Sequence, residues 1–172
     1  VEYSECLGAP NALDLARDRN DIVVLRTFSK VYGLAALRLG WVYAPEEIAE
    51  NLNRVRLPFT INGMAQAAGV AALEDTNHTD MVLSHTHSWL PKLSDKLNGL
   101  GLEPLPSVGN FVTVRFPDQK KSAKMAQAYL ESHNIIPRTA ADYGMSEFLR
   151  ISVGLEQENL ALISTLEDFL DS

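Results

Sequence analysis

The sequence predicts an α/β chain in two parts: the end of an α/β sheet domain over residues 1–60, and a small α+β domain over residues 76–172. Two observations carry that prediction. The first part has short apolar runs of strand length, each bounded by turn or helix-start signals. The second alternates strands with amphipathic helices, and glycine and proline punctuate them. An alanine-rich helix over residues 61–75 joins the two parts.

Taken in order, Ile22-Val23-Val24-Leu25 follows Asn20-Asp21 and reads as a strand buried on both faces, as in a parallel sheet. Leu39 to Ala44 is a second short strand. Pro45-Glu46-Glu47 opens a helix, since proline suits the first turn and the acids complement the dipole. That helix stops near Pro58. Asn62 to Asp75, with two glycines among its alanines, reads as a closely packed helix. Thr76 or Thr79 caps a long helix to about Asn98, ended by Gly99 and Gly101, with Pro91 as a point where it can kink. Asn110 to Phe116 is a strand, and Ser122 to about Ser132 an amphipathic helix. Ile135 to Arg138 is a short strand that Pro137 places at an edge. Phe148 to Val153 is another strand. Glu156 to Leu170 is a final helix with Leu160, Ile163, Leu166 and Phe169 or Leu170 on one face.

A chain of 172 residues can bury one good core, or a modest core plus part of a second. The net charge is −7, and Lys120-Lys121 is the only adjacent pair of lysines, which argues against a nucleic-acid partner. The single cysteine, Cys6, excludes an internal disulfide framework and fits a reducing compartment. No stretch is long and apolar enough to span a bilayer. Glu2 and Glu5 stand where a signal peptide would carry basic residues. These features read as a soluble, cytoplasmic protein with no membrane contact. Val1-Glu2-Tyr3 resembles the tail of a strand and no initiator methionine precedes it, so the chain is expected to be a piece of a longer protein.

The chemistry concentrates first at Thr27-Phe28-Ser29-Lys30. A lysine just past the carboxyl end of a strand lies where α/β sheets bind ligands. Thr27 and Ser29 bring hydroxyls at alternate positions, and Arg38 follows between Gly33 and Gly40. A lysine that condenses with an aldehyde must lose its proton. A phosphate needs hydroxyl donors and a guanidinium fork, and glycines let the backbone approach. Taken alone, Lys30 could equally be a surface lysine on a loop, with Arg38 a salt-bridge partner. The whole run from Thr27 to Trp41 resembles the lysine segment of the fold-type I pyridoxal-phosphate (PLP) aminotransferases. It is most similar to the histidinol-phosphate aminotransferase family, in which Thr-x-Ser-Lys is followed by Gly-Leu-Ala-Gly-Leu-Arg-x-Gly. Only Ala36 departs from that pattern. The resemblance implies that Lys30 is the Schiff-base lysine and shuttles a proton between the substrate α-carbon and the cofactor. It implies that Thr27, Ser29 and Arg38 hold the cofactor phosphate.

Phe148-Leu149-Arg150-Ile151-Ser152-Val153-Gly154 is the second concentration. Alternation turns Leu149, Ile151 and Val153 one way and Phe148, Arg150 and Ser152 the other. An arginine on a mostly apolar strand needs an anion, which could be a structural ion-pair partner. The segment resembles the family's Leu-Arg-Ile-[Ser/Thr]-Val-Gly, whose arginine binds the substrate carboxylate, and that role passes to Arg150. Asn134-Ile135-Ile136-Pro137-Arg138 resembles the family's Gly-Ile-x-x-Arg strand. Arg138 would then be a second anion contact, for the phosphate of histidinol phosphate. Asn134 replaces a glycine but also accepts φ > 0. Asn110, in Ser107-Val108-Gly109-Asn110-Phe111, either lines the site or only caps the strand. Tyr143-Gly144 reads as a turn near the site. His78, His85 and His87 cluster in one helical region without a ligand set, and His133 ends a helix, so no metal is expected.

The family also carries an Asp-Glu-Ala-Tyr segment, whose Asp holds the pyridine nitrogen and whose Tyr meets the ring oxygen. By the resemblance it would fall immediately before Val1. Without that Asp the electron sink is weakened, so the chain alone is expected to have little activity. The resemblance implies an amino donor and a 2-oxo acid as partners, and a homodimer. A decarboxylase of the same fold acting on threonine phosphate, and a non-catalytic association module, are the competing readings.

Overall fold

A computed structural model describes residues 9–172; the strand tail expected at Val1-Glu2-Tyr3, and Cys6, lie outside them. The described residues form two compact units, divided between Ser84 and His85.

In the first unit a short helix α1, Ala12–Ala16, starts where the Asn11 side chain accepts from Leu13 N at 2.9 Å. It was not expected, because five residues are too few for a periodic pattern. Strand β1 is Val24–Thr27 and strand β2 is Gly40–Tyr43. They pair antiparallel as a two-stranded sheet, Val24 opposite Tyr43 and Thr27 opposite Gly40. This corrects the expectation of a strand starting at Ile22 and buried on both faces. With only β2 beside it among the described residues, β1 buries Val24 and Arg26, and Leu25 is 76% exposed. Helix α2, Glu46–Val55, begins after Pro45, and helix α3, Gly63–Glu74, is capped by the Asn62 side chain on Ala65 N at 2.8 Å. Only Ala65 and Gly69 are buried on α3. A Cβ at Gly69 would collide with Leu39 and touch Phe28, so glycine is what lets the helix backbone come this near.

Helix α4, Thr76–Gly99, follows after Asp75 and runs across the division between the units. Its cap is neither Thr76 nor Thr79: Asp75 Oδ1 accepts from His78 N at 3.0 Å, and a carboxylate suits the positive end of the helix. The helix continues through Pro91 without a break. It ends with Gly101 at φ +77, where Leu102 N bonds to Leu97 O and Gly101 N to Asn98 O. These two hydrogen bonds satisfy the last carbonyls, with buried Leu97 and Leu102 at the apolar positions of the motif.

The second unit is a four-stranded antiparallel sheet with three α-helical segments, the end of α4 among them, and two short 3₁₀ segments. Its strands are β3 (Glu103–Pro104), β4 (Phe111–Arg115), β5 (Arg138–Thr139) and β6 (Phe148–Ser152), in the order β3-β4-β6-β5. β3 was not expected: two residues carry no alternation. β5 is an edge strand, as Pro137 indicated, but it starts at Arg138 because Ile135 to Pro137 make no ladder bonds. Asn134 does take φ 62. Helix α5 is Ala123–Ser132, opened by the Ser122 hydroxyl, and helix α6 is Glu156–Asp171. The sheet face made by Val112, Val114, Leu149 and Ile151 is buried, and Leu93, Leu97, Leu130 and Leu166 join it in the core. On α6 the buried stripe is Asn159, Leu162, Ile163, Leu166 and Phe169, while Leu160 is 50% exposed. The expected face was therefore rotated: a polar residue, Asn159, holds the position that apolar periodicity assigned to Leu160. Among the described residues no helix is long and apolar enough to cross a membrane.

Candidate functional site

The connection between β1 and β2, residues 28–39, carries Ser29, Lys30 and Arg38, and Thr27 is the last residue of β1. Its two ends are tied together. Thr27 lies opposite Gly40, and Phe28 N donates to Leu39 O at 3.0 Å. A Cβ at Gly40 would sit 2.6 Å from the Arg26 carbonyl, so this neck requires glycine. Inside the loop, Leu34 N bonds to Phe28 O at 2.9 Å and Gly33 N to Lys30 O at 2.8 Å. Phe28 and Val31 are buried, and the Phe28 and Tyr32 rings lie 4.9 Å apart. The loop is thus anchored from within, and it fixes the Lys30 backbone while leaving its side chain exposed.

Thr27 and Ser29 meet. The Thr27 hydroxyl donates to Ser29 Oγ at 2.8 Å and accepts from Ser29 N at 3.0 Å. That leaves the Ser29 O–H free to donate to an anion. Arg38 is left-handed, φ 54 and ψ 44, a conformation that costs a non-glycine residue about 1 kcal/mol. Its Nη1 donates to Ala35 O at 2.7 Å, which braces the side chain and leaves other donors for a ligand. Arg38 precedes Leu39, whose carbonyl is bonded to Phe28, so arginine and serine flank the same neck. Paired hydroxyls, a braced guanidinium and a lysine with no acid partner among the described residues fit a phosphate ester that carries an aldehyde.

The second cluster lies on the sheet face opposite the core of the second unit. Thr113, Arg150 and Arg138 stand in register on β4, β6 and β5. Two arginines directly opposite on neighbouring strands repel, and neither has a carboxylate partner among the described residues. The Arg150 guanidinium lies 4.8 Å from the Phe111 ring centroid instead. Arg138 Nη2 donates to the Tyr143 hydroxyl at 3.1 Å. A cavity of about 430 Å³ has Arg138, Arg150, Ser152 and Glu158 in its wall. The alternation expected for β6 holds: Leu149 and Ile151 are buried, and Arg150 is on the other face. Asn110 contributes its carbonyl, which accepts from Val153 N at 2.9 Å; its side chain makes no hydrogen bond among the described residues. The two clusters belong to different units, and each stands by itself.

Three residues gain a part that the sequence did not signal. Tyr143, read only as a turn, ends a 3₁₀ segment at left-handed Gly144 and holds Arg138. His85 and Asn159 both bond to Gly154. His85 is 69 residues away from that glycine, so no local pattern could link them.

The chain matches the family described as aminotransferase class I and II over residues 2–164. It is 46% identical over 159 residues to a histidinol-phosphate aminotransferase of Paramagnetospirillum magneticum, covering 92% of this chain and 44% of that protein. The chain spans about half the length of the curated relatives it matches. Its structure superposes on histidinol-phosphate aminotransferase from Sinorhizobium meliloti, solved in complex with pyridoxal-5'-phosphate, with a TM-score of 0.88 and 27% identity over 98% of this chain and 47% of that one. An L-threonine-O-3-phosphate decarboxylase from Porphyromonas gingivalis shares the fold, with a TM-score of 0.77 and 24% identity over 95% of this chain and 51% of that one.

Proposed function

The chain belongs to the class I and II aminotransferase family, whose fold is that of the fold-type I enzymes, and on that premise we propose that it carries the lysine-bearing part of a histidinol-phosphate aminotransferase. The family is PLP-dependent, and PLP supplies the electron sink when bound. Lys30 would hold the cofactor through Nζ, and the same amine would move the proton at the donor's α-carbon. The Ser29 hydroxyl, braced by Thr27, would donate to the cofactor phosphate, and the Arg38 guanidinium would neutralise its charge. Residues 1–60 are then the end of the PLP-binding domain, 61–75 the connecting helix and 76–172 the small domain.

Arg150 binds the substrate anion, and Arg138 beside it serves the phosphate of histidinol phosphate. Glutamate presents a carboxylate and histidinol phosphate a phosphate; a cross-strand pair of arginines suits either. Asn110, whose carbonyl accepts from Val153 N, either lines this site with its side chain or only caps the strand. The reaction exchanges the amino group of histidinol phosphate for the oxo group of 2-oxoglutarate, giving imidazole-acetol phosphate and glutamate. A cytoplasmic homodimer is the form proposed for the whole protein.

The tied loop with its hydroxyl pair 2.8 Å apart is the observation that carries this reading. Its test is a single half-reaction of the PLP-loaded chain. Because little activity is expected of the chain alone, L-glutamate should give 2-oxoglutarate, and histidinol phosphate imidazole-acetol phosphate, slowly and at no more than one equivalent per chain, and Lys30→Ala should give neither. Release of carbon dioxide from threonine phosphate, with no oxo acid formed, would favour the decarboxylase instead.

A further inference from the structure

We propose that His85 and Asn159 are positioning residues for Arg150 that act through the peptide groups of Gly154; this rests on the anion-binding role given to Arg150 above. β6 ends at Ser152, and the next two residues are pinned. Val153 N donates to Asn110 O at 2.9 Å. Gly154 N donates to Asn159 Oδ1 at 2.9 Å, and Gly154 O accepts from Asn159 Nδ2 at 2.9 Å and from His85 Nε2 at 2.8 Å. Facing a carbonyl oxygen, His85 Nε2 must carry the proton and donate it. A surface turn would leave these groups to water, whereas here a polar side chain only 1% exposed is committed to them.

The corner has no slack. A Cβ at Gly154 would lie 2.7 Å from Glu158 Oε2, and that carboxylate accepts from Leu155 N at 2.7 Å. The clamp governs Arg150 by two routes. It fixes the strand four residues beyond the arginine. It also fixes Ser152, whose register partner is Phe111, the ring beneath the guanidinium. A fork that reads a carboxylate through two parallel bonds tolerates little angular error. Gly154 and Asn159 border the same cavity as Arg138 and Arg150.

The test titrates glutarate into the 172-residue chain while NMR follows the Arg150 Nε–Hε resonance. His85→Leu removes one donor, and Gly154 O keeps its bond to Asn159. Glutarate affinity should fall about fivefold, with the unfolding midpoint little changed. His85→Gln restores an N–H donor and should recover most of that loss, which a purely structural role would not require. Unchanged affinity in His85→Leu, or no recovery in His85→Gln, overturns the proposal. Should leucine at 85 prevent folding, Asn159→Asp, which keeps the acceptor and loses the donor, is read in the same way. Arg150→Gln separates the inference from its premise. If that variant binds glutarate normally, or if the unaltered chain does not bind it, the role of Arg150 fails and the inference fails with it. If Arg150→Gln abolishes binding and His85→Leu leaves it intact, only the positioning role fails.

Discussion

Asn159→Ala offers the sharpest stability test of the second unit. The side chain is 1% exposed and makes two hydrogen bonds, both 2.9 Å long and both to Gly154. Each is worth about 1 kcal/mol net. Truncation leaves Gly154 N–H without its acceptor, while the carbonyl keeps His85. It also removes packed side-chain atoms from the core stripe of α6, which adds about 1 kcal/mol for the space left behind. The total is about 3 kcal/mol, a large share of the roughly 5–15 kcal/mol that holds a typical domain. Urea denaturation followed by far-ultraviolet circular dichroism measures it as a lower midpoint at constant slope. A loss below about 0.5 kcal/mol, the range of an ordinary surface substitution, would mean that the clamp is replaceable by water and contributes nothing to the fold.

Other outcomes follow from single contacts. Thr27→Val keeps the shape of the side chain but removes both bonds to Ser29, and should weaken PLP binding about tenfold in a spectrophotometric titration. Asp75→Ala removes the cap on His78 N and should cost about 1 kcal/mol in thermal or urea unfolding. Leu166→Ala, at a fully buried position, should cost about 2–5 kcal/mol, and Leu160→Ala, half exposed, far less; equal losses would contradict the face assigned to α6.

The sequence was most legible where chemistry and pattern coincide. Lys30 follows a strand, Arg150 alternates with buried Leu149 and Ile151, and Pro137 marks an edge; each could be read because period-two alternation and proline chemistry are local rules. Legibility failed where the deciding partner is distant or the element is short. Asp75 displaced two threonines as the cap because capping depends on the backbone turn preceding the helix, which sequence spacing leaves open. Leu160 was assigned to the core because periodicity counts apolar residues and cannot foresee that Asn159 is paired with Gly154 and so can be buried without cost in unmet hydrogen bonds. The left-handed Arg38 and the direct opposition of Arg138 and Arg150 are properties of backbone geometry and strand register, which residue types alone do not specify.

Lys30 is proposed as the residue that takes the cofactor aldehyde. The most direct measurement incubates the chain with PLP, fixes the adduct with borohydride and maps it by peptide mass spectrometry. One phosphopyridoxyl group is expected on Lys30, lost in Lys30→Ala. Label spread over Lys92, Lys96, Lys120, Lys121 and Lys124, with Lys30 no more modified than they are, would contradict it.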